Sequence, residues 1–275
     1  MSYIQALITG IIQGLTEFLP VSSSGHLVFT AELFNKFFNV VQVTKAEEIF
    51  FDLMLHFGTL IAVVVYFRVD LQNIFKSFIE AIKSKNFDTQ ESKLPIFLFI
   101  GTITTLITAF PLKSFLEEAV SKPELVGYFL FVTAGLLIFT EFYSQKHKHD
   151  AELSIKKAIF IGFFQGLAFA PGISRSGSTI AAGLLSGLNR VESARYSFLL
   201  SIPIIIVAVI FHTVELFATG EIMAFSLMPI LLGTAVAAIS GYFCIKYFLI
   251  FLQKHSLNYF AVYCIIVGIC AVKFF

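Results

Sequence analysis

One segment occurs twice in this chain of 275 residues, and both copies interrupt an apolar run with proline and serine. Gly10–Gly25 (GIIQGLTEFLPVSSSG) aligns without a gap on Gly162–Gly177 (GFFQGLAFAPGISRSG), with seven identical positions. In lipid, a broken helix exposes backbone polar groups, so it persists only when buried in protein or lining a cavity. Two such breaks at matching places in two halves point to a binding site at a repeat interface.

Composition identifies lipid as the solvent of this chain. Apolar residues make up 57% of the chain and charged residues 13%, with a mean hydropathy of +0.86, values that belong to a polytopic membrane protein. A net charge of +1, without a basic patch, excludes nucleic acid as a main partner and leaves bilayer lipids as the surroundings. No basic stretch precedes the first apolar run, so no removable signal peptide is expected. Cys244, Cys264 and Cys270 all fall in apolar stretches and read as small hydrophobes rather than as a disulfide framework or metal site.

Apolar stretches long enough to span, or nearly so, lie at 49–68, 94–111, 125–143, 196–214, 224–250 and 257–275. The broken segments, about 3–33 and 155–188, read as re-entrant helical hairpins. The expected fold is therefore all-α: a single transmembrane domain of about six spanning helices and two re-entrant hairpins. Repeat 1 covers about 1–144 and repeat 2 about 154–275. Residues 69–93 carry Lys76, Lys83, Lys85 and Lys93, with Arg68 at the edge, and 144–157 carries Lys146, Lys148, Lys156 and Lys157. The connections 112–124 and 215–223 hold more Glu than Lys or Arg, so the basic loops are cytoplasmic and the acidic ones outside. Traced from there, the first hairpin enters from outside and the second from the cytoplasm, an inverted-topology repeat. A second pairing, Phe51–Gly58 on Tyr196–Pro203, has almost no identities and adds little. The polar stretch 83–93 reads as a solvated loop.

The turns carry the chemistry. Ser22-Ser23-Ser24-Gly25 and Ser174-Arg175-Ser176-Gly177 each follow a break and open a new helix, where serine caps and unpaired N–H groups suit a phosphate. Taken singly, each turn does no more than cap its own half-helix. Two facing turns, one with an arginine, favour an anion. Arg175 is costly in an apolar hairpin unless it meets an anion, and its fork matches phosphate; the alternative is a structural ion pair, with Glu17 as the candidate partner. Glu17 follows Gln13 by one helical turn and points towards the break. It could hold a divalent cation with phosphate oxygens completing the shell, act as a general base, or cap the tip. His26 follows the serines closely enough to accept a proton, donate one, or attack phosphorus. Asp52 and His56, spaced i, i+4, allow a shared ligand or an outer-face hydrogen bond. Glu141, His212 and Glu215 read as interfacial, without a role.

Gln13-Gly-Leu-Thr-Glu17-Phe-Leu-Pro-Val-Ser-Ser-Ser-Gly-His26 and Pro171-Gly-Ile-Ser-Arg-Ser-Gly-Ser-Thr179 together resemble the undecaprenyl-diphosphatase family, the bacitracin-resistance proteins. The likeness runs over the whole chain, including Phe51–Val63 and Ser197–Pro203. It implies an enzyme of the bacterial cytoplasmic membrane that removes the terminal phosphate of a C55 polyprenyl pyrophosphate and so recycles the carrier for cell-wall precursors. The family's acidic motif falls on Gln13 and Glu17, its serine-rich turn on Ser22, Ser23, Ser24, Gly25 and His26, and its basic motif on Ser174, Arg175, Ser176, Gly177 and Thr179. Position 13 carries no charge here, so Glu17 takes the metal role for Mg2+ or Ca2+, with Asp52 and the neutral Gln13 as further oxygen donors.

Carried over in this way, Glu17, Ser23, His26 and Arg175 are the expected catalytic residues. Ser23 is the preferred nucleophile, with His26 or water as rivals. Type 2 phosphatidic-acid phosphatases also use Ser-Gly-His and Ser-Arg elements, but their Arg-Pro opening motif is missing and Ala181 stands where their histidine should follow Arg175. A flippase or anion transporter would use the same repeat architecture; a passive channel would need rings of repeated charge, which this chain lacks. The oligomeric state is open, a homodimer included.

Overall fold

The computed structural model describes residues 1–37, 44–112, 123–146, 152–219 and 225–274, excluding the side chains of 123, 216, 217 and 219. Lys148 and most of the acidic connections invoked for orientation lie outside these residues. Every described element is helical. The first hairpin is α1 (Tyr3–Thr16) and α2 (Ser23–Phe37), followed by α3 (Lys45–Tyr66), α4 (Arg68–Ser84), α5 (Gln90–Ala109) and a 3-10 turn at Phe110–Leu112. Then come α6 (Pro123–Ser144), the second hairpin α7 (Ile155–Leu167) and α8 (Arg175–Leu185), α9 (Arg190–Thr219), α10 (Leu227–Leu252) and α11 (Asn258–Phe274).

Five of these helices, α3, α5, α6, α9 and α10, are long and apolar enough to cross a bilayer, while α11 is a shorter apolar helix of 17 residues. Large apolar side chains such as Phe99, Ile107, Phe142 and Ile210 stand more than half exposed on their outer faces, where a water-soluble protein would put charge. The protein is a multi-pass membrane protein. At 1.5 Å per residue, α1 with its 14 residues reaches about 21 Å, short of the ~30 Å hydrocarbon core, so each hairpin turns back inside the fold.

The polar 69–93 stretch is more ordered than its composition suggests. Most of it is α4, which buries Ile74 and Ala81, two turns apart, and packs along α5. Only 85–89 remain between α4 and α5, because Thr89 caps α5 through the Ser92 N–H at 3.2 Å. Apolar residues at helical spacing outweigh the lysines on the opposite face.

Each hairpin packs against a span from the other half of the chain: α1 against α10, and α7 against α5. The closeness depends on glycine. A Cβ on Gly10 would sit 2.6 Å from the Gly233 carbonyl oxygen, and one on Gly14 2.7 Å from that of Ala237. In the second hairpin, Gly162 meets the Gly101 carbonyl in the same way, and a Cβ on Gly166 would lie 2.9 Å from that of Thr105. Close backbone approach through small residues is how helices associate where lipid removes the hydrophobic drive.

Behind the hairpin tips lies an aromatic floor. Phe18 and Phe198, both fully buried, meet edge-on at 5.2 Å, with Phe248 and Phe67 beside Phe198 at 6.2 and 6.4 Å. Beside the start of α9, Glu141 is fully buried rather than interfacial. Arg190 grips it with two bonds of 2.9 and 2.6 Å, and the Leu257 N–H donates to it at 2.7 Å. The clasp joins α6, α9 and the start of α11, satisfying a charge that would be costly unpaired.

Candidate active site

The two breaks solve their backbone problem by trading hydrogen bonds. In the first turn, the Leu19 carbonyl accepts from Ser176 Oγ at 2.8 Å and the Pro20 carbonyl from Cys264 Sγ at 3.6 Å. In the second, the Gly172 N–H donates to Ser22 Oγ at 3.0 Å. Thr133 on α6 serves the same turn twice, donating to the Gly172 carbonyl at 2.9 Å and accepting from the Ser174 N–H at 3.0 Å. Gly172 has a φ of +96°, a left-handed turn that glycine takes at no cost, and a Cβ there would strike Val126 and Phe129. Ser22 adopts φ +68° against its side chain's preference. His26 holds it, with Nδ1 donating to the Ser22 carbonyl at 2.8 Å and Nε2 paired with the Tyr263 hydroxyl at 2.8 Å.

These ties bring three functional groups together across the hairpin interface. Glu17, which caps α1, is buried, and one of its oxygens, Oε1, accepts from Arg175 Nη2 at 2.5 Å. The other, Oε2, accepts from Ser23 Oγ at 2.6 Å and Gln13 Nε2 at 3.0 Å, with His56 Nε2 at 3.6 Å. Arg175 is the first residue of α8, and Ser23 the first of α2. A hydroxyl that donates to a carboxylate keeps its lone pairs for an electrophile. The guanidinium spends one N–H on Glu17 and touches the Ser197 carbonyl at 3.5 Å through Nη1, which leaves further donors on its fork.

A cavity of about 350 Å3 opens over this group. Its polar end is Glu17, Ser22, Ser23, Ser24, Asp52, His56 and Arg175. Its apolar end runs between α3 and α9 past Leu53, Ile204, Ile205 and Val209 to His212. Ionic groups at one end and aliphatic walls at the other suit an amphiphile with an anionic head.

The sequence expectations divide at this cavity. Glu17, Ser23 and Arg175 meet there, with Ser22 and Ser24 at its wall. His26 is not among the lining residues; it stacks on Tyr263 with ring centroids 5.6 Å apart. Gly25, Ser174, Ser176, Gly177 and Thr179 are also absent from the lining, because their polar groups serve the backbone. Ser174 caps α8 through the Gly177 N–H at 3.0 Å, and Thr179 bonds Ser197 Oγ at 2.6 Å. Gly25 packs where a Cβ would lie 3.5 Å from the Gly172 Cα. Asp52 and His56 face the cavity rather than the outer surface. Only their i, i+4 spacing marked them in the sequence. His212, read as interfacial, closes the outer end beside Glu215 at 3.3 Å.

Among the described residues, no three His, Cys, Asp or Glu side chains converge as a metal cage. What the site does offer is oxygen: Glu17, Asp52, and Gln13 Oε1, which is buried beside Glu17 without a hydrogen-bond partner. Hard cations take such donors and let substrate phosphates complete the shell, so the residues fit Mg2+ or Ca2+ as an incomplete site.

Known proteins match this chain along its length. A family model described as bacitracin resistance protein BacA covers residues 6–270. A protein from Halothermothrix orenii named undecaprenyl-diphosphatase is 41% identical over 98% of this chain and 96% of its own. Proteins of the same name from Methanobrevibacter smithii and Korarchaeum cryptofilum are 40% and 39% identical, each over 98% of this chain and over 96% and 98% of their own lengths. With its two hairpin motifs intact and the match running nearly end to end, the chain belongs to the BacA family of bacitracin resistance proteins.

Proposed function

We propose that this protein is an undecaprenyl-diphosphate phosphatase, hydrolysing a polyprenyl pyrophosphate to the monophosphate and inorganic phosphate. By returning the lipid carrier to cell-wall synthesis it would confer resistance to bacitracin. The observation that carries the reading is the Ser23–Glu17–Arg175 group at the polar end of a cavity whose other end is aliphatic.

Ser23 Oγ attacks the terminal phosphorus while its proton passes to Glu17 Oε2, already 2.6 Å away. The new Oγ–P bond forms as the bridging P–O bond breaks, and the prenyl monophosphate leaves with the bond's electron pair. Glu17 hands the Ser23 proton to the departing phosphate through solvent. Water then attacks the phosphoserine, giving a proton to the freed carboxylate, which returns it to Ser23 Oγ as the P–Oγ bond breaks and inorganic phosphate leaves. Arg175 spans both jobs: it orients Glu17 and offers its remaining donors to the phosphoryl oxygens, whose charge must be stabilised in the transition state. The N–H groups at the start of α2 supplement it. His26 acts through Ser22, fixing the strained residue from which Ser23 projects.

A divalent cation, Mg2+ or Ca2+, would be held by Glu17 and Asp52 with Gln13 as a neutral donor, and would supply charge neutralisation to the pyrophosphate. The prenyl tail would follow the apolar walls between α3 and α9, each buried CH2 contributing ~0.8 kcal/mol. The matched glycine contacts of α1 on α10 and α7 on α5 support repeats covering 1–144 and 154–275 within one transmembrane domain. Loop charge supports a site opening to the outer face of the cytoplasmic membrane. A homodimer is compatible with this arrangement.

The test is phosphate release by purified protein in detergent, from undecaprenyl or farnesyl pyrophosphate and without a membrane gradient. Release that requires Ser23 and Arg175 supports the phosphatase. Absence of release from any prenyl pyrophosphate would favour a carrier that moves polyprenyl phosphate through the same site.

A further inference from the structure

Glu17 must keep Oε2 aimed at Ser23 while a substrate competes for Arg175. A phosphate arriving at the guanidinium draws donors away from Oε1, the tightest tie the carboxylate has. On the Oε2 side, Gln13 belongs to the same helix as Glu17 and moves with it. Among the described residues, and besides Ser23 itself, one polar group reaches Oε2 from a different element: His56, on α3, with Nε2 at 3.6 Å.

The ring of His56 is itself fixed. Its Nδ1 lies 2.7 Å from the Asp52 carbonyl, and a carbonyl only accepts, so Nδ1 carries a hydrogen and Nε2 is turned to the carboxylate. The α3 backbone that sets this orientation is locked against α10, where a Cβ on Gly58 would collide with the Thr234 carbonyl. The side chain is 31% exposed, into the cavity, while that of Glu17 is 5% exposed.

We infer that His56 is a positioning residue for the reaction: anchored on the Asp52 carbonyl, it holds Glu17 Oε2 towards Ser23 from the α3 side as Arg175 turns to the phosphate. The inference rests on the phosphatase reading. With Nδ1 already carrying a hydrogen, a donor at the Nε2 point means the doubly protonated ring, ion-paired with Oε2; glutamine, whose amide can reach the same place, supplies the donor without the charge and should stand in for it. Leucine fills the volume but leaves Oε2 unsupported.

The experiment compares wild type, His56→Leu and His56→Gln in detergent, measuring kcat and KM for farnesyl pyrophosphate and the melting temperature of each protein. Expected is a fall in kcat of about 10- to 100-fold for His56→Leu, the usual scale for removing a group that orients an active residue, with KM and melting temperature near wild type. His56→Gln should recover most of that loss. His56→Ala repeats the comparison if the leucine variant does not fold. Wild-type kcat in the leucine or alanine variant, a glutamine variant as slow as leucine, or a loss carried entirely in KM would each overturn the role. A wild type that releases no phosphate overturns the phosphatase reading and this inference with it.

Discussion

The tip of the first hairpin and the tip of the second share a backbone plan but face different tasks. Both break after a Gln-Gly-Leu turn, both cap a new helix with serine, and each satisfies the other's exposed backbone: Ser176 serves Leu19, and Ser22 serves Gly172. Of the matched positions at which they diverge, three matter for the division of tasks. Where the first has Glu17, Ser23 and His26, the second has Phe169, Arg175 and Ser178. The shared residues build the cradle, and two of the three unshared pairs reach the cavity. Duplication thus supplies a buried polar turn twice, and under the proposed mechanism divergence makes one turn a nucleophile with its base and the other a cation.

That division can be broken from either side. Removing the base should have the largest effect. Glu17→Gln keeps the shape and a bond to Ser23 but cannot take its proton, and kcat should fall ~10²–10⁴-fold. A single-turnover assay that shows near-normal turnover would move the base elsewhere. Arg175→Lys keeps the charge and loses the fork, so a loss on the order of 100-fold is expected in kcat, together with weaker inhibition by inorganic phosphate. If lysine restores full turnover, the second tip contributes charge alone.

His26 provides a subtler contrast. If it acts through the Ser22 carbonyl as proposed, His26→Asn, which keeps a donor near the Nδ1 position, should retain more activity than His26→Ala. Equal loss in both would return the imidazole to the chemistry. The shared part of the plan is tested by Gly14→Ala and Gly166→Ala. Each places a methyl against a carbonyl of α10 or α5, and each should lower stability by about 1–3 kcal/mol, read as earlier thermal unfolding. Destabilisation of one hairpin alone would mean that the matched contacts are not equivalent. The smallest effect is expected for Gln13→Glu, which adds a second carboxylate beside Glu17 and should lower the Mg2+ or Ca2+ concentration needed for half-maximal activity.

Much of this was legible in the residues. The broken apolar runs, the caps and the Glu17, Ser23 and Arg175 trio follow from local pattern, because proline, serine and a charge in an apolar segment each have few physical solutions. Less visible was which hydroxyls face the cavity. Ser24 lines it and its repeat partner Ser176 does not, although both follow the first residue of a helix; the difference is the Leu19 carbonyl that Ser176 must satisfy. The place of His56 beside Glu17 is hidden for a related reason. Its spacing to Asp52 is local, but its value depends on α3 lying against a hairpin far away in sequence. For Glu141, position near a span end predicts exposure, and only the partner Arg190, 49 residues on, explains its burial. The helix α4 was hidden by lysines that face away from α5.

The most direct test of the division of labour is to locate the phosphoryl group during turnover. Wild-type protein mixed with farnesyl pyrophosphate is quenched within a single turnover, digested and mapped by mass spectrometry, with Glu17→Gln as the control in which accumulation is suppressed. Phosphate is expected on Ser23, at the point where the first tip meets Arg175 of the second. Phosphate on His26, or turnover with no phosphorylated residue, would contradict that division.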